Sequence, residues 1–266
     1  MNKRLAFIGC GNMGEALLKG LLSNKLFSRG EITVSDKSSV RLKFIKKTYR
    51  VNAASSNIEA VKKSDILILA VKPQDMASVL AGIAQTAKSK LIITIAAGVT
   101  TSYIKQKTGA KRIIRAMPNT PALVGYGITA IVAAKGTTKS DINIVDKIFR
   151  SVGDIVHLNE KQIDAVTAVS GSGPAYFFLF MERLTDAAIS LGIKRPVAEK
   201  LVLQTGLGAA ALQHITGTHP KILRNKVTSK GGTTEAALKV FKKKGLEKIV
   251  KAAVSAACKK SKQLSK

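Results

Sequence analysis

No tryptophan occurs in these 266 residues, and there are only 8 phenylalanines and 4 tyrosines. Aliphatic side chains must therefore fill most of the core. The two cysteines, Cys10 and Cys258, form neither a disulfide framework nor a metal-ligand spacing, so a reducing, cytoplasmic setting is expected and no metal is. Long apolar runs are absent too, which excludes a membrane span. The run that follows Lys3 and Arg4 stops at Gly9 and meets Asn12 and Glu15, too short a stretch for a signal peptide. Acidic residues are scarce, 16 against 44 Lys and Arg, leaving a formal net charge of +28.

That charge points toward anionic partners. The longest basic runs, "FKKKG" and the tail "CKKSKQLSK", sit at helix ends, where cations suit the helix dipole. No basic stretch has interleaved aromatics, and no zinc or helix-turn-helix signature is present, so specific nucleic-acid binding is not expected. The expected consequence is milder: anionic substrates and cofactors are drawn inward at low salt.

What is present is alternation. "RLAFIG", "EITVSD", "DILILAV", "KLIITIAAG" and "KRIIRAMP" are short apolar runs separated by helix-length segments, including a basic helix over 40–47. This predicts a mainly parallel, doubly wound sheet, Rossmann-like, over residues 1–158. "GITAIVAA" and "DIVHL" add two strands around a helix at 139–151. Past residue 159 the strands stop, and 159–266 reads as an all-α domain. Its first helix, "PAYFFLFMERLTDAAISLG", is apolar on most faces and ends at Gly192; the next contains Gly206 and Gly208, suited to close helix approach. The last aligns Leu246, Ile249, Val250, Ala253, Val254 and Ala257 on one stripe. So much apolar surface on so few helices predicts packing against a second subunit in a two-fold dimer.

"IGCGNMG" places Gly9, Gly11 and Gly14 between a strand and a helix in the spacing of a dinucleotide loop. Asp36 follows about 20 residues later, where a carboxylate grips a ribose 2′-hydroxyl. Lys37 and Arg41 are equally placed for a 2′-phosphate, so NADH and NADPH both remain open. "AVKPQ" and "AAG" end the next strands at the edge that borders the ligand crevice of such sheets; Ala96, Ala97 and Gly98 leave room for a flat ring. In "MPNTP", two prolines fix the path around Asn119, whose amide is a candidate contact to cofactor or substrate.

Late in the chain, "VTSKGGTTEAAL" opens another helix with a Gly-rich turn. Backbone amides of Gly231 to Thr234 at a helix N-terminus form a site for a small carboxylate. Thr234 is the best-placed hydroxyl to bond a substrate nitrogen and relay its proton. "GSGPAY" resembles an anion nest but opens a helix so apolar that it reads mainly as an interface or core helix, with Ser172 and Gly173 as candidates for the border of the substrate pocket. The three histidines, His157, His214 and His219, read as structural.

In order and spacing, "FIGCGNMG", "AVKPQ", "AAGVT", "MPNTP", "AVSGSGPAYFF" and "VTSKGGTTEAAL" resemble the pyrroline-5-carboxylate reductases, essentially over the whole chain. The resemblance implies NAD(P)H-dependent reduction of the cyclic imine L-1-pyrroline-5-carboxylate to L-proline, the last step of proline biosynthesis. It implies cofactor contacts at Ile8, Gly9, Cys10, Gly11, Asn12, Met13 and Gly14, then Asp36, Lys37 and Asn57. Further cofactor contacts are implied at Ala70, Val71, Lys72, Pro73, Ile95, Ala96 and Ala97, and substrate contacts at Ser229, Gly231, Gly232, Thr233 and Thr234. Interlocked homodimers, often assembled further into decamers, are also implied. This chain departs from the family at Lys230, where proline is usual, and at 216–218, which lack the acidic residue often found before His219-Pro220. Two other readings of the residues stay open: a hydroxyacid-class dehydrogenase, and a basic, redox-sensing nucleic-acid-binding Rossmann protein.

Overall fold

The computed structural model describes residues 3–264, so the last two residues of the basic tail, 265 and 266, lie outside it. The short apolar runs become strands: β1 (Leu5–Ile8), β2 (Ile32–Ser35), β3 (Asn52–Ala53), β4 (Ile66–Leu69), β5 (Leu91–Thr94), β6 (Arg112–Met117), β7 (Gly127–Ala133) and β8 (Gly153–His157). Between them run α1 (Asn12–Ser23), α2 (Ser39–Tyr49), α3 (Asn57–Lys62), α4 (Met76–Ala87), α5 (Thr101–Thr108) and α6 (Lys139–Arg150). Side-chain oxygens set several helix starts: Ser38, Ser56, Thr100 and Thr138 each accept a first-turn amide.

These strands form one sheet in the order β3-β2-β1-β4-β5-β6-β7-β8. All pairings are parallel except β6 with β7. The expected mainly parallel, doubly wound sheet is thus present, with one reversal. Winding runs outward from β1 through β2 to β3, then restarts at β4 on the other side of β1. A switch point therefore opens at the carboxyl ends of β1 and β4, where doubly wound sheets hold their ligands. The two-residue β3 has no apolar run behind it, and the alternation did not predict it.

Neighbouring residues of β1 serve different cores. Leu5 and Phe7 pack with Leu17, Leu18 and Leu21 of α1 and with Ile148 and Phe149 of α6. Ala6 and Ile8 pack with Val61, Leu80, Ile83 and Ile104 from α3, α4 and α5. Burial on both faces is why the strands read as continuous apolar runs rather than alternating ones.

The chain divides into two compact units: one runs to Ser172 and takes back the residues from Ala257 onward, and the other is Gly173–Ala256. Within the first, α7 (Ile163–Val166) continues into a π turn over Thr167–Gly171. The second contains α8 (Gly173–Ser190), α9 (Arg195–Thr216), α10 (Pro220–Lys226) and α11 (Thr233–Lys243); the closing α12 (Leu246–Leu264) belongs to both. The first unit recovers the end of α12 through Ser261, whose hydroxyl donates to Asp164 at 2.7 Å. Helix α8 ends as expected at a left-handed glycine, Gly192, with the Ile193 amide reaching back to Ala188. A Cβ on Gly206 would lie 2.7 Å from Met181 Cε, so that glycine does allow α8 and α9 to approach; Gly208 faces open space. Phe177, Phe178, Leu203, Leu207 and Ile249 are all more than half exposed. Among the described residues, no helix is long and apolar enough to cross a membrane.

Candidate active site

The turn after β1 is shaped by what its glycines exclude. Gly9 has φ +82, and a Cβ there would sit 2.8 Å from Val71 Cγ1 and 2.9 Å from the Ala70 carbonyl oxygen. This contact locks the β1 turn against the β4 turn. At Gly14 a Cβ would lie 3.4 Å from Ala70 Cβ, so α1 packs close to the same loop. Gly11, the N-cap of α1, has nothing within 4 Å of where its Cβ would be, and no side chain caps the helix. An exposed, uncapped helix start with cleared space in front of it fits a pyrophosphate.

Side chains beyond β2 hold this turn. The Cys10 amide donates to Asp36 Oδ2 at 2.8 Å, and the Ser38 amide donates to Asp36 Oδ1 at 2.9 Å. Arg41 Nε donates to the Cys10 carbonyl at 2.7 Å, and Arg41 Nη2 pairs with Glu15. Glu15 also accepts the Tyr49 hydroxyl at 2.7 Å. Burial alone would raise the Glu15 carboxyl, but its bonds to Tyr49 and Arg41 outweigh that and hold it below its ordinary range. Burial, reinforced by the Glu15 bond, takes Tyr49 up to about 12. The Cys10 thiol is fully buried, and burial pushes it up to about 12 as well.

The other cofactor candidates line the same edge. Ser35, the last residue of β2, donates its hydroxyl to Asn57 Oδ1 at 2.8 Å. Lys37 is exposed and pairs with Asp75 at 2.7 Å. Lys72 and Pro73 are exposed where the chain leaves β4, and Pro73 begins a short 3-10 turn. After β5, Ile95 donates its amide to Leu69, and Ala96 is buried beside the half-exposed Ala97. Deeper, the buried Arg115 pairs through Nη1 with Glu160 at 2.6 Å, and Glu160 also accepts the Thr101 hydroxyl at 2.7 Å. The sequence reading missed this brace below the 95–100 loop. Charged residues spaced so far apart carry no local signal. Asn119, read from sequence as a candidate contact, is buried and spends its side-chain oxygen on the Ile128 amide at 2.9 Å, closing the turn from β6 to β7.

In the helical unit, Gly231 has φ +75 and Gly232 is the N-cap of α11. The Gly231 amide donates to Glu235 Oε2 at 2.8 Å, and the Gly232 amide to the Ser229 carbonyl at 3.1 Å. The amides of Thr233 and Thr234 in the first helical turn have no side-chain cap. Of the four amides in the expected carboxylate nest, the structure thus commits two internally. The Gly231 amide, with help from Lys239, holds the Glu235 carboxyl below its usual range.

The family described as pyrroline-5-carboxylate reductase dimerisation matches residues 160–264, and that described as NADP oxidoreductase, coenzyme F420-dependent, matches residues 4–98. The pyrroline-5-carboxylate reductase of Synechocystis sp. is 44% identical over 266 residues, spanning 100% of both chains. The structure of a pyrroline-5-carboxylate reductase from Coxiella burnetii superposes with a TM-score of 0.94 at 38% identity, covering 100% of each chain. That of the Plasmodium falciparum pyrroline carboxylate reductase with NADP bound gives 0.89 at 35% identity, covering 100% of this chain and 99% of that one.

Proposed function

Since the chain belongs to the pyrroline-5-carboxylate reductase family, we propose a division of labour among its residues in the NAD(P)H-dependent reduction of L-1-pyrroline-5-carboxylate to L-proline. The observation that carries the cofactor part is the cleared, uncapped start of α1 at Gly11. The amides after Gly11 take the pyrophosphate, and the Asp36–Lys37 corner meets the adenosine ribose. The Ala70–Pro73 and Ile95–Ala97 turns flank the nicotinamide half. When bound, the cofactor supplies the hydride.

The protein's own work is binding and positioning, because a protonated cyclic imine is already electrophilic. In this reading the substrate carboxylate rests on the Thr233 and Thr234 amides at the α11 N-terminus, with Ser229 beside them. Gly231 and Gly232 shape the turn, and the Thr234 hydroxyl holds the imine nitrogen and its proton. Support comes from those two uncapped amides and from the left-handed Gly231, which bends the chain over them.

The functional boundary is placed between 1–158 for the cofactor and 159–266 for substrate and dimerisation. The dimerisation family match over 160–264 supports it. The half-exposed apolar side chains of α8, α9 and α12 support a two-fold homodimer, with decamers as the further assembly. The biosynthetic role supports a cytoplasmic location. The deciding experiment mixes purified protein with pyrroline-5-carboxylate and NADPH or NADH, and follows cofactor oxidation together with proline formation. Oxidation without proline, or turnover of hydroxy acids instead, rules the reading out.

A further inference from the structure

The peptide groups on both sides of the Cys10 Cα are held by side chains from a single short segment. Asp36 accepts the Cys10 amide, and Arg41 donates Nε to the Cys10 carbonyl. Of the remaining guanidinium nitrogens, Nη2 pairs with Glu15, and the group lies over the Phe44 ring, 5.3 Å from its centroid. Arg41 and Glu15 are each about three-quarters buried, with side-chain exposures of 25% and 24%. Lys37 is different: its side chain is 79% exposed and makes a single ion pair, to the partly buried Asp75.

A 2′-phosphate brings close to two negative charges, and an arginine recognises it best by turning a free two-pronged edge toward it. Arg41 commits both nitrogens of its Nε–Nη2 edge, so turning that edge to a phosphate means dropping the Cys10 carbonyl and stranding a Glu15 carboxylate that is three-quarters buried. Lys37 gives up only one ion pair, and its own ammonium is already in solvent, where such pairs are worth little. Taking the cofactor reading above as given, we infer that Arg41 is a positioning residue for the phosphate-binding turn. It serves NADH and NADPH alike, and Lys37 is the cation that distinguishes them. The positive charge that the sequence offers twice to a 2′-phosphate is then available once.

The test is equilibrium binding of NADPH and NADH to the full-length protein, read from nicotinamide fluorescence; with no tryptophan in the chain, transfer from indole does not complicate the signal. Arg41→Ala and Arg41→Lys are expected to raise both dissociation constants by the same factor, about tenfold, the worth of one charged hydrogen bond. Lys remains cationic but cannot span Cys10 and Glu15 together, so it should not rescue. Glu15→Gln should likewise weaken both cofactors. Lys37→Ala should raise the NADPH-to-NADH ratio of dissociation constants at least tenfold. Adenosine 2′,5′-bisphosphate, the fragment carrying the extra phosphate, should track NADPH in each variant.

Four results overturn the inference: Lys37→Ala leaving the ratio unchanged, Arg41→Ala costing NADPH tenfold more than NADH, Glu15→Gln selectively tightening NADPH, or Arg41→Ala changing neither. If Arg41→Ala fails to fold, Arg41→Lys and Glu15→Gln decide the matter by the same signs. Wild-type protein that binds neither nucleotide refutes the cofactor reading itself, a separate outcome.

Discussion

Glu235 reaches back across the Gly-Gly turn and accepts the Gly231 amide at 2.8 Å, so a residue of the first turn of α11 braces the loop that precedes the helix. Its carboxylate is steadied in turn by Lys239, 3.3 Å away. Lys230, where proline is usual, immediately precedes the Gly231 amide that makes this contact. Glu235→Ala should therefore raise KM for the imine several-fold while leaving kcat within about twofold, and Glu235→Gln, which keeps an accepting oxygen, should do less. Steady-state kinetics with saturating cofactor checks it; a fall in kcat at constant KM would assign Glu235 to chemistry instead.

Thr234→Ala should lower kcat/KM by roughly tenfold to a thousandfold, the range of one well-placed hydrogen bond in the transition state. Thr234→Ser should recover most of the loss, since it restores the hydroxyl. An unchanged rate in Thr234→Ala removes the hydroxyl from the mechanism.

Two alanine substitutions in one turn should fail in different ways. Gly11→Ala puts a methyl group into open space, so its melting temperature should stay near wild type while cofactor affinity falls at least tenfold. Gly9→Ala forces a Cβ to 2.8 Å from Val71 at φ +82, and should cost stability first, by about 1–3 kcal/mol. Thermal melts and cofactor titrations on both proteins separate the two. Equal behaviour would mean that the cleared space at Gly11 faces no ligand.

The Asp141 side chain is 1% exposed and takes two bonds from Arg112, with further bonds from the Thr138 amide and hydroxyl. The Arg112 bond, against the cost of burial, holds the carboxyl at about 2 rather than 3.8. A carboxyl depressed by folding stabilises the protein fully above its unfolded pKa and loses that effect as pH falls through the folded one. The window is therefore pH 4 down to pH 2, with about 2 kcal/mol at stake. Denaturant midpoints at pH 6 and pH 3 should show about half of this drop in wild type and a smaller one in Asp141→Asn; identical losses in the two proteins would refute it.

Phe177 and Leu207 are exposed on α8 and α9, by 71% and 58%. Replacing both with Glu should convert the proposed dimer to a monomer in analytical ultracentrifugation, with an unchanged sheet unit by cofactor binding. A dimer that survives the double change would move the interface elsewhere.

Much of this was legible from residues alone, and what was missed has physical reasons. Strands buried on both faces announce themselves as apolar runs, and the spacing of Gly9, Gly11 and Gly14 marks the turn, although only at Gly9 does the backbone itself demand glycine. The reversal at β7 left no trace, because "GITAIVAA" has the same apolar content whichever way it pairs. The two-residue β3 has too few side chains to carry a period. Asp36, Lys37 and Arg41 could be placed but not ranked: their partners Cys10, Asp75 and Glu15 are brought close only by folding. The same holds at Gly231, whose amide looked available until Glu235 came within reach.

The buried sulfur of Cys10 lies in the middle of the cofactor turn, with its proton held until about pH 12. Peroxide and electrophiles attack the thiolate, and near neutral pH that form is present at only about one part in ten thousand or less. Burial and the raised thiol thus both work against oxidation of the one cysteine that sits in the cofactor turn.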